Sequence, residues 1–141
     1  MLFFGAPYLP SLRPQVETAL ELLELRPGQT LLELGSGDGK VLLAAAQAGY
    51  RAEGIELNPL LYLVSVWRTR RYRDMVHVTW GNYWNRPWPE ADGVFVFLLD
   101  RFMPKLDKKM QSYKRPLASV VFTIPGKSAV VEKNGVYLYH Y

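Results

Sequence analysis

The chain has 141 residues, 49% of them hydrophobic and 21% charged, and it contains no cysteine. That length fits one domain, residues 1–141, and buries about two-thirds of its unfolded surface without a disulfide or metal staple. Missing cysteines exclude disulfides, Cys-ligated zinc, iron–sulfur clusters and thiol catalysis. His77 and His140 lie too far apart for a two-His metal site, so no metal is expected. No run of about 18 apolar residues exists to span a membrane. MLFFGAP lacks the basic start and long apolar core of a signal peptide, and a cytoplasmic address is the expectation. A net charge of +4 permits an acidic partner or RNA without requiring either. The basic residues concentrate in WRTRRYR at 67–73, which reads as a solvated helix end or as a nucleic-acid patch.

The predicted elements alternate helix and strand. Residues 13–25 form a first helix, with Val16, Ala19, Leu20 and Leu23 at helical spacing and Pro14 in the first turn. Residues 30–34 are a short apolar strand, followed by ELGSGDGK and a buried helix over 41–48. RAEGIE at 51–56 is a second strand, and Asn58-Pro59 opens a helix running to about Arg71. Residues 76–80 form a third strand. GVFVFLL at 93–99 forms a fourth, apolar throughout as a strand buried on both faces should be. Residues 102–113 are helical and 117–124 form a fifth strand. Asn134-Gly135 then marks a type I′ hairpin within 129–141. Only residues 125–128 join strand five to this hairpin, a reach of at most ~14 Å. The hairpin should therefore meander off strand five in antiparallel fashion. The fold class is α/β: a Rossmann-like, doubly wound, mostly parallel sheet with a C-terminal antiparallel hairpin. Tyr137, Tyr139 and Tyr141 alternate along that hairpin and suit either a dimer surface or a face packed on a helix.

The strand–ELGSGDG–helix segment carries the chemistry. Gly35, Gly37 and Gly39 let backbone turn sharply beside a helix N-terminus, where a ligand can approach. A dinucleotide loop reads G-x-G-x-x-G and cradles a pyrophosphate. Here the third glycine comes one residue early, and Glu33 and Asp38 place carboxylates beside the loop. They would repel a pyrophosphate and attract a cation. S-adenosylmethionine fits, with a sulfonium, an ammonium and one carboxylate. Glu56 ends the second strand, where an acid can accept hydrogen bonds from ribose hydroxyls or cap the following helix. Asn82 and Tyr83 follow the third strand and suit either adenine contact or a plain turn. Asp100 follows the fourth strand and suits either a proton acceptor or a helix cap. Trp80, Trp84 and Trp88 cluster with Tyr83, as packing or as a cage for a methylated ammonium.

ELGSGDG resembles the first cofactor motif of class I, seven-strand S-adenosylmethionine-dependent methyltransferases, and GIELNP resembles the second. GAPYLPS at 5–11, LLELGSGDGKVLLAAA at 31–46, GIELNPLL at 54–61 and MPKLDKKM at 103–110 are similar to a narrower family. Its members are lysine N-methyltransferases acting on the adenine nucleotide translocase and the ATP synthase c subunit, together with prokaryotic relatives. The resemblance implies that Glu33, Gly35, Ser36, Gly37, Asp38 and Gly39 hold the methionine part of S-adenosylmethionine. It implies that Glu56, Leu57 and Asn58 hold the ribose and adenine. It places Tyr8, Pro10 and Ser11 of segment 1–12 at the border of the methyl-transfer pocket, with Tyr8 and Asp100 as the catalytic candidates. A protein substrate with a target lysine follows from the resemblance. FLLDRF lacks the Asn/Asp-Pro-Pro-aromatic motif of enzymes acting on base amines. Methyl transfer to RNA or a small molecule, and a non-catalytic cofactor-binding subunit, remain as competing readings.

Overall fold

The computed structural model describes residues 13–98 and 100–141, together with the backbone of residues 3, 4, 6 and 7. Phe3–Phe4 pairs antiparallel with Ala6–Pro7, apart from the main sheet, and this pair is left unnumbered. The main elements run α1 (Arg13–Leu23), β1 (Thr30–Leu34), α2 (Lys40–Gln47), β2 (Arg51–Glu56), α3 (Pro59–Arg68) and β3 (Val76–Trp80). They continue through β4 (Gly93–Val96), α4 (Met103–Tyr113), β5 (Leu117–Val120), β6 (Val131–Lys133) and β7 (Val136–Tyr139).

The seven strands lie in the order β3-β2-β1-β4-β5-β7-β6. The first five are mutually parallel, and β7 runs antiparallel to both β5 and β6. Strand order reverses between β1 and β4, and ligands of open α/β sheets bind in the crevice at the carboxyl ends of such strands. Alternate residues of β1 explain the two layers. Leu31 faces α1 and α2, packing with Val16, Leu20, Leu42 and Ala45. Leu32 and Leu34 face α4, packing with Met103, Leu106 and Met110. Every residue of β4 is buried, which accounts for its unbroken apolar run. The second layer contains one helix, and residues 83–91 complete it through Tyr83, Trp84, Trp88 and Ala91.

The type and order of the predicted elements hold, with differences at several ends. α1 stops at Leu23, where Glu24 takes φ 51°. The helix predicted to Arg71 is α-helical to Arg68 and then tightens into a 3₁₀ turn at Arg70–Tyr72. β4 ends at Val96 rather than at residue 99, and Leu99 lies outside the described residues.

The hairpin expectation needs correction. The expected short link rested on a strand running to residue 124, whereas β5 ends at Val120 and the chain turns at Val121, φ 72°. Residues 121–130 are then free to carry the chain past one strand position. The second arm, not the first, pairs with β5. The physical reason is apolar burial: in β7, Val136, Leu138 and Tyr139 are buried, whereas all three residues of β6 are exposed. Placing VYLY inside and VEK at the edge hides the greasier arm and leaves a short, charged edge strand.

The turn itself is as expected, with Asn134 at φ 52° and Gly135 at φ 77°. It is tied to α1 through Asn134 Nδ2 donating to Thr18 Oγ1 (3.0 Å) and Gln15 Nε2 donating to Asn134 O (3.3 Å). Tyr137 and Tyr141 pack on the α4 side beside the fully buried Tyr139. The Tyr141 hydroxyl donates to Asp107 Oδ1 (2.8 Å), so these tyrosines form a face packed on a helix. Gly135→Ala would force a Cβ into the left-handed region and to within 3.1 Å of Gln15 Nε2. It should cost about 1–2 kcal/mol, read as a lower urea midpoint at constant m-value. An unchanged midpoint would contradict this turn geometry.

Candidate functional site

The carboxyl ends of β1, β2, β3 and β4 bring Glu33, the glycine loop, Glu56, Leu57, Asn58, Asn82, Tyr83 and Asp100 to one edge. The Gly35 and Ser36 N–H groups donate to Ile55 O (2.9 and 3.3 Å), which fastens the glycine loop to β2. Gly39 has φ 86°, and a Cβ there would stand 2.9 Å from Ser65 Cα. Ser65 of α3 is fully buried; its hydroxyl donates to Gly37 O (2.7 Å) and lies 3.2 Å from Ser36 Oγ. Gly54 matters for space rather than for torsion: its Cβ would meet Leu42 at 2.7 Å and Ser36 Cβ at 2.9 Å.

Glu56 brackets this loop. Its Oε1 accepts the Gly37 N–H (2.7 Å) and its Oε2 accepts the Asn58 N–H (2.9 Å). Burial pushes the Glu56 carboxyl above its usual range, against the lowering effect of those backbone hydrogen bonds. Two bonds leave about half of the carboxylate's acceptor sites for a ligand. The helix cap is a neighbour: Asn58 Oδ1 accepts from Leu60 N (2.9 Å) and Leu61 N (3.1 Å), with Pro59 at the first helical position.

Glu33 is buried on β1, and its Oε1 has no hydrogen-bond partner among the described residues. Burial raises its carboxyl well above the usual value, and the nearby charges of Glu56 and Asp38 raise it further. A buried acceptor without a donor is costly, and a donor-rich cation is the chemistry that would relieve it. Asp38 differs. Its Oδ2 lies 3.5 Å from Lys40 Nζ and 3.9 Å from Arg68 Nη2, and its Oδ1 accepts the Lys40 N–H (3.2 Å). Arg68 also donates from Nε to Asp38 O (2.8 Å).

The remaining predicted residues separate. Leu57 is exposed, and its carbonyl accepts from Trp80 Nε1 (2.9 Å). Asn82 Oδ1 accepts the Trp84 N–H (2.9 Å), which leaves it a second lone pair for a ligand donor. Tyr83 is buried, its ring 4.8 Å from that of Trp84. Burial and then Glu56 raise its hydroxyl pKa. Asp100 is exposed in the turn Asp100–Phe102, while the N-cap of α4 is Phe102. Tyr8, Pro10 and Ser11 lie outside the described residues. The tryptophans do not converge as a cage: Trp84 stacks on Phe102 (6.3 Å), Trp88 meets Tyr113 edge-on (5.2 Å), and Trp80 sits beside Leu57. Ser65 and Arg68 lie outside the motifs, and Gly54 opens GIELNP without a role of its own in the sequence reading. Arg68 was legible only as part of a charge run, and a serine amid apolar helix residues was the available signal for Ser65.

Residues 33–130 match the family described as the ANTKMT methyltransferase domain. The chain belongs to that family. The Xenopus laevis lysine N-methyltransferase named for the ATP synthase c subunit is 36% identical over 119 residues, covering 82% of this chain and 51% of that protein. The adenine nucleotide translocase lysine N-methyltransferase of Mus musculus is 38% identical over 111 residues, covering 75% of this chain and 47% of that protein. The chain thus spans about half the length of the curated relatives it matches. Among solved structures, an RNA methyltransferase from Salinibacter ruber in complex with S-adenosyl-L-homocysteine superposes with a TM-score of 0.86 at 27% identity, covering 94% of this chain and 93% of that one. The region matched to the ANTKMT methyltransferase domain begins at Glu33, the residue with the orphaned acceptor.

A raised carboxyl pKa in the folded state means that the folded state holds its proton to higher pH than the unfolded chain. The Glu33 contribution therefore destabilises the ligand-free protein progressively as pH rises above the ordinary value of 4.5. Glu33→Gln should flatten that slope and raise the melting temperature at pH ~8 by a few degrees. A pH–stability profile identical to wild type would contradict the burial of a charge there.

Proposed function

We propose that this chain transfers a methyl group from S-adenosylmethionine to the side-chain amine of a protein lysine. The observation that carries the reading is the buried Glu33 acceptor, without a hydrogen-bond partner among the described residues, near Glu56 and at the start of the glycine loop. That environment favours a cationic ligand and disfavours a pyrophosphate. Family membership and the lysine N-methyltransferase relatives support the acceptor class.

When bound, S-adenosylmethionine supplies a methyl group already activated by a sulfonium. The protein's tasks are then orientation and exclusion of water. Glu33, Gly35, Ser36, Gly37, Asp38 and Gly39 would hold the methionine part. Glu56 would accept from the ribose with its remaining lone pairs. Leu57 and Asn58 would complete that side, with Asn82 hydrogen-bonding the adenine amino group and buried Tyr83 alongside the ring. A lysine amine must be neutral to attack, and its free pKa is near ~10.4. Asp100, in the turn that follows β4, would orient the amine and accept its proton. Tyr8, Pro10 and Ser11 would border the pocket.

A second reading, methyl transfer to RNA, is favoured by one surface. An open cleft of about 520 Å³ is lined by Arg86, Trp88, Lys105, Lys108, Lys109 and Tyr113, among others. None of its four cations forms an ion pair among the described residues. A charged groove with rings suits single-stranded nucleic acid, and the Salinibacter relative is named as an RNA methyltransferase. However, the Lys109 ammonium group lies 5.2 Å from the Trp88 ring centroid and occupies one face that a base would need.

Incubation of a lysate with methyl-labelled S-adenosylmethionine tests the acceptor. Label should appear in protein as methyl-lysine and vanish with protease but not with RNase. Asp100→Asn should lower turnover about 10²-fold with cofactor affinity unchanged. RNase-sensitive label would move the assignment to RNA. Tight binding with no transfer to any fraction would make the chain a non-catalytic subunit.

A further inference from the structure

Nine large hydrophobic side chains are exposed among the described residues, and six of them share one region: Leu57, Leu60, Leu63, Val66, Trp67 and Trp80. Leu60, Leu63 and Trp67 follow i, i+3, i+7 spacing and form one stripe along α3, with Val66 beside it. They are 63%, 60% and 61% exposed, so the stripe is a ridge and not a groove. No charged residue interrupts residues 57–67. Two of its three polar residues, Asn58 and Ser65, are buried in the cap and the glycine loop. Surface helices ordinarily turn a polar face outward, and contiguous apolar patches mark interaction sites.

Charge then appears abruptly at one end. Arg70, Arg71 and Arg73 are exposed, against the single acid Asp74. The Arg70 guanidinium lies 4.3 Å from the Trp67 ring centroid, and its Nη1 donates to Trp67 O (2.8 Å). Arg68 is not part of this group, because it is held against Asp38.

We propose that the α3 ridge is a docking surface for an anionic phospholipid bilayer, with α3 lying flat in the interface. The leucines and Val66 would enter the acyl boundary, Trp67 would sit at headgroup depth, and Arg70, Arg71 and Arg73 would meet lipid phosphates. The helix has ten residues, about half of what a span requires, and no described helix is long and apolar enough to cross a membrane. A ridge has no pocket to receive a peptide, whereas a bilayer deforms around it. A second copy of the chain is disfavoured by size, since a helix about 15 Å long offers less than the ~800 Å² per partner of a stable interface. Leu57 and Trp80 continue the ridge to the carboxyl ends of β2 and β3, so docking would hold the site edge close to the membrane surface.

Co-sedimentation of the full chain with sucrose-loaded vesicles tests this, using phosphatidylcholine alone and phosphatidylcholine with phosphatidylglycerol. Wild type should pellet with the anionic vesicles. Arg70→Gln with Arg71→Gln should weaken that binding by roughly fivefold per arginine removed, with little change on neutral vesicles. Leu60→Ser with Leu63→Ser should weaken binding to both vesicle types by at least about tenfold. Both leucines are exposed, and an unchanged melting temperature would show that this variant folds. Wild type remaining in the supernatant with anionic vesicles would overturn the proposal, as would full binding by the leucine variant. A concentration-dependent dimer that the leucine variant abolishes would assign the ridge to a second copy and overturn it equally.

Discussion

Two buried carboxyl groups at the carboxyl ends of β1 and β2 are the constraint around which the site is organised. Glu33 and Glu56 are both removed from water, and the Glu56 charge adds to the cost of ionising Glu33. Glu56 is partly compensated by two backbone donors, one from the glycine loop and one from the start of α3. Glu33 retains an acceptor with no donor among the described residues. A fold tolerates such a group only when surrounding packing over-determines it. Here the packing is close: α3 presses Ser65 onto Gly39, and Ser36 sits against Gly54, so neither glycine has room for a side chain. The loop is held open in a conformation whose unmet demand is a hydrogen-bond donor carrying positive charge.

The strand order places that demand where chemistry can use it. β1 lies between β2 and β4, and the site edge collects the glycine loop, Glu56, the turn after β3 and Asp100 after β4. The layer on the α4 side is thin, with one helix and an aromatic segment where two or three helices could stand. This accounts for the concentration of tryptophan at 84 and 88: large rings cover the sheet that no helix covers. It also brings the cationic face of α4 next to Phe102 and the edge where Asp100 stands.

Much of this was legible in the sequence, because period, punctuation and burial agree. The apolar runs at 30–34 and 93–99, the second of which stays a strand only to Val96, the Asn58-Pro59 start and the Asn134-Gly135 turn each have a local cause. The order of the hairpin arms was not legible, since it turns on where β5 ends and on which arm is the more apolar when both compete for one edge. The glycine loop and Glu56 were legible as a pattern. The contributions of Ser65 and Arg68 were not, because both act through a helix one turn or more beyond the motif and meet the loop only after folding. In sequence Asp38 and Glu33 look alike as carboxylates beside the loop, yet among the described residues Asp38 has two cationic neighbours and Glu33 forms no ion pair.

Calorimetric titration with S-adenosylmethionine, S-adenosylhomocysteine and NAD, on wild type and Glu33→Gln, tests the central claim most directly. Wild type should bind both sulfur ligands at micromolar concentration and should not bind NAD. Glu33→Gln should bind S-adenosylmethionine at least about tenfold more weakly, as expected when a charged hydrogen bond is lost. Equal affinity for NAD, or an unaltered affinity in Glu33→Gln, would contradict a site built around the buried Glu33 carboxyl.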